Sequence, residues 1–467
     1  MTLEAPTTPS GGVLSGGGLG HSRRARAFSA ARGLAQRWKG RIVLALLDQG
    51  LGSTANFLLT ILCVVWLPLE GFGRYVLVMS VSLLIEVGQA SLILDSMPAV
   101  VARYGQRNRR RLEMACLWVV LIYSALTSAL LLLGVAALWF WAPEFALPLL
   151  CLAAANPFQR LYVFLRRLCY IRDRQQAAAI ASAANCACLL GGVMVLHLSG
   201  LLSVANVLLL WGFANGVAAL VICSAGVLYP GRTQTVHIAW LVRQLWRSGR
   251  WLVGAAVGFW ACNWGILPLV AATAGIEAAG IVRALQNLVT PIVQLNAALN
   301  LAILPRVADK VVSSGQQYAR SFAIYSTAIF TAMVLVYVAV ILGESKTILA
   351  LLYRKQEIAA SAYLLWPLGI AMIAEAAPQG SSIALLAMNH TRVFFFSRLL
   401  GVTILLGGAV LLGPTWGAEG ILWANAVSHA VGAALLMVAA FRIRNEAQPI
   451  VRPAALRQSI KREATRR

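Results

Sequence analysis

Gly280 to Pro305 reads GIVRALQNLVTPIVQLNAALNLAILP, a stretch apolar enough and long enough to cross a bilayer as one helix, which takes about 20 residues. It nevertheless carries an arginine. Arg283, Asn287, Thr290 and Gln294 stand at i, i+4, i+7 and i+11, so at about 100° per residue they share one narrow face of the rod. A cation deep in hydrocarbon costs about 2.5–3.5 kcal/mol on insertion scales, so such a stripe turns toward a bundle interior or a wet cavity. The remaining spans are expected to surround that cavity.

The chain has 467 residues, 60% of them hydrophobic and 12% charged, far more apolar than a soluble domain and consistent with a polytopic membrane protein. The net charge of +23 does not indicate nucleic acid, because the basic residues fall between apolar spans, where they act as topology signals. The eight cysteines, Cys63, Cys116, Cys151, Cys169, Cys186, Cys188, Cys223 and Cys262, lie in or beside apolar spans. They imply no disulfide framework, and Cys186-x-Cys188 lacks the partners a zinc site needs. The first apolar run is long, contains Asp48 and has no small-residue cleavage pattern after it, unlike a signal peptide.

About twelve transmembrane helices are expected, near 42–67, 74–98, 114–141, 146–165, 177–198, 205–228, 250–273, 279–304, 320–343, 359–388, 393–412 and 418–441. Odd-to-even connections such as PLEGFG and AGIEA are short and poor in basic residues. Even-to-odd connections hold Arg103, Arg107 and Arg109 to Arg111, then Arg166, Arg167, Arg172 and Arg174, then Arg232, Arg243, Arg247 and Arg250, then Arg306 and Lys310. The positive-inside rule then places both termini in the cytoplasm. The expected organisation is a disordered basic tail (1–41), a six-helix lobe (42–228), an amphipathic linker (229–249), a second six-helix lobe (250–441) and a basic tail (442–467). In the linker, Ile238, Leu241, Val242 and Leu245 share one helical face and Arg243, Arg247 and Arg250 another, the pattern of a helix lying on the inner membrane surface.

The halves also resemble each other. Sliding the chain by 207 residues brings Asn56 onto Asn263, Glu70 onto Glu277, Gly73 onto Gly280, Gln89 onto Asn296 and Pro98 onto Pro305 without a gap. With six spans each, the halves share one orientation and are related by an axis along the membrane normal, as parallel transporter repeats are. Two pseudo-symmetric lobes around a central cavity follow.

Four acids, Asp48, Glu86, Asp95 and Glu375, fall inside expected spans. Ser82, Glu86 and Gln89 form a one-sided stripe in the second span, as do Gln49, Ser53, Asn56 and Thr60 in the first and Glu375, Gln379 and Ser382 in the tenth. Pro378 and Gly380 would break that tenth helix. The candidates for substrate contact are therefore Arg283, Asn287, Thr290, Gln294, Asn56, Gln89 and Gln379, and those for ion coupling or gating are Glu86, Glu375 and Asp48. The competing reading is packing: polar residues between membrane helices act as glue worth about 0.6 kcal/mol, which suits Ser53, Asn56, Thr60 and Asn300. Asp48 and Asp95 sit at the cytoplasmic edge, where neighbouring arginines can neutralise them. A buried charge is harder to explain as glue, so Glu86, Arg283 and Glu375 carry the functional expectation. His197, His390 and His429 read as isolated, satisfied or interfacial histidines.

No HExxH, phosphate-binding loop or nucleophile elbow occurs, and no soluble domain is present to hold ATP. The outer loops are also too short for a catalytic lobe. An enzyme or a primary pump is not expected, and no cofactor is implied.

Asp48 to Val81, DQGLGSTANFLLTILCVVWLPLEGFGRYVLVMSV, resembles the opening of the Wzx-type polysaccharide biosynthesis flippases of the multidrug/oligosaccharidyl-lipid/polysaccharide exporter superfamily. The run from Arg283 to Arg306 resembles that family's eighth span, and ILALLYRKQEIAASAYLLWPLGIA with ALLAMNHTR resembles its ninth-to-tenth connection and tenth span. One departure is Arg354, where the turn in relatives often has a glycine. The resemblance implies a V-shaped pair of lobes in a bacterial inner membrane, moving a polyprenyl-pyrophosphate-linked oligosaccharide outward for surface polysaccharide synthesis. Glycosyltransferases and a polysaccharide polymerase are the partners it implies, besides membrane lipids. On that reading Arg283 attracts the pyrophosphate and Asn287 and Gln294 bind hydroxyls. Two alternatives stay open: a drug or cation antiporter of the same superfamily, which a negatively charged cavity would favour, and a scaffold for glycosyltransferases.

Overall fold

The computed structural model describes residues 43–97, 100, 109–228, 238–388 and 390–442. Residues 1–41 of the first basic tail, 443–467 of the second, residues 229–237 of the linker, and Arg103, Arg107 and Arg232 lie outside the described residues. Among the described residues the chain is all-α, with twelve long helical segments. They are α1 (Val43–Trp66), α2 (Leu69–Leu94), α3 (Arg109–Trp141), α4 (Pro143–Ile171), α5 (Gln175–Leu198), α6 (Val204–Ser224), α7 (Gly249–Ala274), α8 (276–314), α9 (Gly315–Gly343), α10 (Gln356–Ala387), α11 (391–416) and α12 (417–441).

Local chemistry accounts for where these helices start and turn. Pro68 precedes α2, Pro143 occupies the first turn of α4, where its missing N–H costs nothing, and the Ser203 hydroxyl accepts the Asn206 N–H to cap α6. Gly315 and Gly417 adopt φ of +78° and +56°, a region that favours glycine, and they reverse the chain between α8 and α9 and between α11 and α12. Both pairs are antiparallel hairpins. The Tyr337 hydroxyl donates to the Leu288 carbonyl at 2.7 Å, while Ser428 and Ser397 donate to the carbonyls of Gly401 (2.7 Å) and Gly432 (3.0 Å). Small residues let the backbones of α11 and α12 approach closely enough for those bonds.

The helices form two six-helix lobes. In the first, α4 packs against α2, α3 and α6; in the second, α7 packs on α11 and α12 while α8 and α9 pack on α10. The expected surface helix behaves differently from its reading. Its helix starts at Ile238 and continues unbroken to Asn263, and Leu241 and Leu245 are buried among Ile93, Leu94 and Val227. Protein covers Leu241 and Leu245, because the helix has the first lobe's α2 end beside it, while Ile238 and Val242 of the same face stay exposed.

The repeat registers in the packing. Gly73 at the start of α2 meets Gly280 at the start of α8: a Cβ on Gly73 would lie under 3.0 Å from the Ile276 carbonyl, and one on Gly280 would lie 3.2 Å from the Gly73 nitrogen and the Leu69 carbonyl. Residues that exchange under the 207-residue shift thus face each other, as residues beside a two-fold axis must. Close by, the Lys355 ammonium donates to the Leu67 carbonyl at 2.6 Å, so both lobes meet at the end of the molecule where the α1–α2 and α7–α8 turns lie.

Candidate functional site

A cavity of about 520 Å³ lies between the lobes, within the range of about 300–1,000 Å³ usual for ligand sites. Asn56 of α1, Tyr75 and Glu86 of α2, Gln159 and Arg166 of α4, Trp264 of α7, Arg283 and Gln286 of α8, Glu375 of α10 and His429 of α12 line it. At 1.5 Å per residue Arg283 sits about 10 Å along α8 from the closed end, whereas Glu86 sits about 25 Å along α2.

Arg283 is held by stacking. Its guanidinium carbon lies 3.9 Å from the centroid of the Trp264 ring, which a break in α7 at Trp264 and Gly265 turns into the cavity. Gln286 donates to the Asn263 carbonyl at the same break, 3.0 Å away. Among the described residues no carboxylate pairs with Arg283, and a guanidinium stacked on an aromatic face keeps its N–H edge free for an acceptor.

The cavity carboxylates are neutralised within their own lobes. Glu86 accepts from Gln159 at 3.0 Å and lies 3.7 Å from Nη2 of Arg160, which is fully buried. Glu375 accepts two hydrogen bonds from Arg398, at 2.8 and 3.0 Å, and faces His429 Nε2 at 3.4 Å. Asp48 is fully buried and pairs with Arg166 at 2.8 Å, with the Tyr170 and Ser182 hydroxyls also donating to it. Counting the lining charges together with their ion-pair partners behind the wall, four arginines (Arg160, Arg166, Arg283, Arg398) stand against three carboxylates (Asp48, Glu86, Glu375), and among the described residues Arg283 is the arginine of these four with no carboxylate partner.

The expected site residues divide accordingly. Arg283, Glu86, Glu375 and Asn56 are brought together in the cavity wall. Asp48, Gln89, Gln379 and Asn287 are not. Asp48 is the buried counter-ion of Arg166, and Gln89 is a buried clamp that donates to the Arg160 carbonyl at 2.8 Å and accepts from its Nη1 at 3.3 Å. Gln379 bonds back across the α10 break to the Glu375 carbonyl, 3.5 Å away. Asn287 is buried, because the cavity face of α8 runs through Arg283, Gln286, Val289 and Ile292, in steps of three residues rather than the three-and-four stripe. The side chains of Thr290 and Gln294 lie outside the described residues.

Three groups that shape the site are not singled out by sequence reading, Arg160, Arg398 and Trp264, and a fourth, His429, reads there as an isolated histidine. Arg160 and Arg398 sit within apolar stretches, the same signal that singles out Arg283. Arg166 has the sequence signature of a topology marker, and its reach into the cavity depends on the tertiary position of Asp48.

No family model and no curated protein sequence matches the chain. Solved structures do. An inward-facing multidrug resistance MATE family transporter of the MOP superfamily superposes with a TM-score of 0.73 at 12% identity, covering 85% of this chain and 97% of its own. An outward-facing MATE family transporter of that superfamily gives 0.64 at 12% identity over 86% and 94%. The lipid II flippase MurJ in an inward closed conformation gives 0.63 at 10% identity over 85% and 86%. The twelve-helix, two-lobed fold of this chain is therefore similar to the folds of these MOP-superfamily transporters.

Proposed function

We propose that this protein is a flippase for a polyprenyl-pyrophosphate-linked oligosaccharide, working by alternating access, with both termini on the cytoplasmic side of a bacterial inner membrane and the Gly73–Gly280 end on the outer side. The observation that carries the reading is Arg283: it supplies the surplus positive charge of the cavity, while Asp48, Glu86 and Glu375 are each held by an arginine. A cavity with that balance attracts a pyrophosphate and repels the cationic drugs an antiporter would carry. Asn56, Gln159 and Gln286 supply amides beside it for sugar hydroxyls.

The lipid part of such a substrate stays in the bilayer, and the outer side of α2 offers an apolar surface for it. A groove of about 550 Å³ runs there between α2, α3 and the end of α7, lined by residues such as Leu77, Val81, Leu130 and Pro268. The closed Gly73–Gly280 crossing corresponds, on this orientation, to a state with its outer gate shut. Deleting the gene provides the test. Lipid-linked oligosaccharide accumulating on the cytoplasmic leaflet supports the flippase; unchanged surface glycan with raised drug sensitivity supports an antiporter instead.

A further inference from the structure

His429 has the sequence signature of an isolated histidine, and its surroundings give it a different role. Its ring is buried in the cavity wall, with side-chain exposure of 2%, and both ring nitrogens have defined neighbours. Nδ1 lies 2.9 Å from the Asn425 carbonyl oxygen. A carbonyl only accepts, so Nδ1 carries the hydrogen. Nε2 lies 3.4 Å from Oε2 of Glu375, whose two oxygens accept from Arg398 at 2.8 and 3.0 Å. A carboxylate bound in that fork is ionised and also only accepts. In neutral His429 the Nε2 lone pair therefore faces a carboxylate lone pair across 3.4 Å. A proton on Nε2 turns that contact into a charge-assisted hydrogen bond.

We infer that Nε2 of His429 is a proton-binding site of the cavity wall, and that the proton it takes fastens α12 to α10 through Glu375. The charged and titratable groups facing it from the surrounding helices are Glu375 on α10, Arg398 on α11 and, on α7, Cys262, which contacts Ser428 at 3.6 Å. Arg283 on α8 lines the same cavity. Glu375 favours the proton and Arg398, bound to the same carboxylate, opposes it. The position of Glu375 gives the proton leverage. It lies at the end of the α10 segment Leu365–Ala376, just before the break at Ala377 and Pro378, whereas α12 is clamped to α11 by the Ser397 and Ser428 bonds. Arg398 of α11 already holds Glu375, so the proton adds a second tie, from α12, between the bent helix and the hairpin. Its role in coupling rests on the transport reading above, whereas the proton site itself is a property of the protein alone and stands or falls without it.

The test is nitrogen-15 NMR of the full chain labelled at histidine, in lipid nanodiscs, between pH 5 and 9. The chain has five histidines, and the His429 signals are those missing in His429→Gln. The expected result is a neutral form protonated at Nδ1 at high pH that converts to imidazolium as pH falls, with Glu375→Gln weakening proton affinity at least tenfold and Arg398→Gln strengthening it. A His429 that stays neutral down to pH 5, or a midpoint that ignores Glu375→Gln, overturns the inference. Should the Glu375 and Arg398 variants fail to insert, the wild-type tautomer decides: a neutral form protonated at Nε2 overturns it, because that proton would already satisfy Glu375.

Discussion

Replacing Arg283 by alanine is expected to cost this protein most of its grip on an anionic head group while leaving its fold in place. Arg283 belongs to no ion pair among the described residues, so its removal strands no buried carboxylate; inside the protein it removes the stack on Trp264 at 3.9 Å. Such a stack is worth about 0.5–2 kcal/mol, small beside the cores of the two lobes. Substrate binding suffers more. Hydrogen bonds from a charged donor contribute about 1.5–3 kcal/mol, and at about 1.4 kcal/mol per tenfold the apparent affinity should fall by roughly 10- to 150-fold. The net charge of the cavity and its ion pairs would also drop from one positive to zero. Arg283→Lys should recover part of the affinity, since it restores the charge but neither the planar stack nor a two-pronged contact. The assay is flipping of a fluorescent polyprenyl pyrophosphate glycan in proteoliposomes, read by quenching the dye in the outer leaflet as substrate concentration varies. Arg283→Ala within twofold of wild type in both half-saturation and maximal rate would refute the reasoning.

Three further outcomes follow from the packing. Gly73→Ala forces a methyl under 3.0 Å from the Ile276 carbonyl, and overpacking of that kind costs about 1–3 kcal/mol. Lobe-to-lobe fluorescence transfer at this end should report a population shift toward separated ends, and an unchanged distribution would contradict the seam. Asp48→Ala takes the acceptor from Arg166 and from the Ser182 and Tyr170 hydroxyls and, since Arg166 keeps its contact with the cavity, should destabilise the protein by about 1–3 kcal/mol; a large transport defect at an unchanged unfolding midpoint would instead return Asp48 to the transport machinery. Arg354 adopts φ of +53° at the end of the helix Ser345–Tyr353, a conformation that costs a non-glycine residue about 1–2 kcal/mol. Arg354→Gly should therefore raise the thermal midpoint, and a lowered one would show that the side chain stabilises the turn.

Much of this architecture is legible in the chain because membrane helices declare themselves through length and apolarity. The repeat is legible too, since Gly73 and Gly280 keep their register and meet at the seam. Arg283, Glu86 and Glu375 stand out because a charge inside an apolar span has few places to go. What the sequence withholds is the pairing. Gln89 and Asp48 carry the same polar signature as cavity residues, yet each satisfies an arginine of its own lobe. Helical spacing gives a face, not the neighbour that face meets, and a stripe shared by Arg283 and Asn287 splits once α8 turns its three-step ridge to the cavity. Arg354 marks the reverse case: a turn whose left-handed geometry favours glycine keeps it with an arginine in place.

Convergence of these side chains on a water-accessible chamber is the central claim, and solvent reactivity measures it most directly. In a cysteine-free background, single cysteines at Asn56, Asn263 and Gln286 on the cavity wall can be compared with one at Leu126, which lies 61% exposed on the opposite, lipid-facing side of α3. The expected result is fast labelling of the three cavity positions by a charged, membrane-impermeant thiol reagent, protection of Gln286→Cys by pyrophosphate, and no labelling at Leu126. Cavity positions as unreactive as Leu126 would contradict the chamber, and with it the transport mechanism.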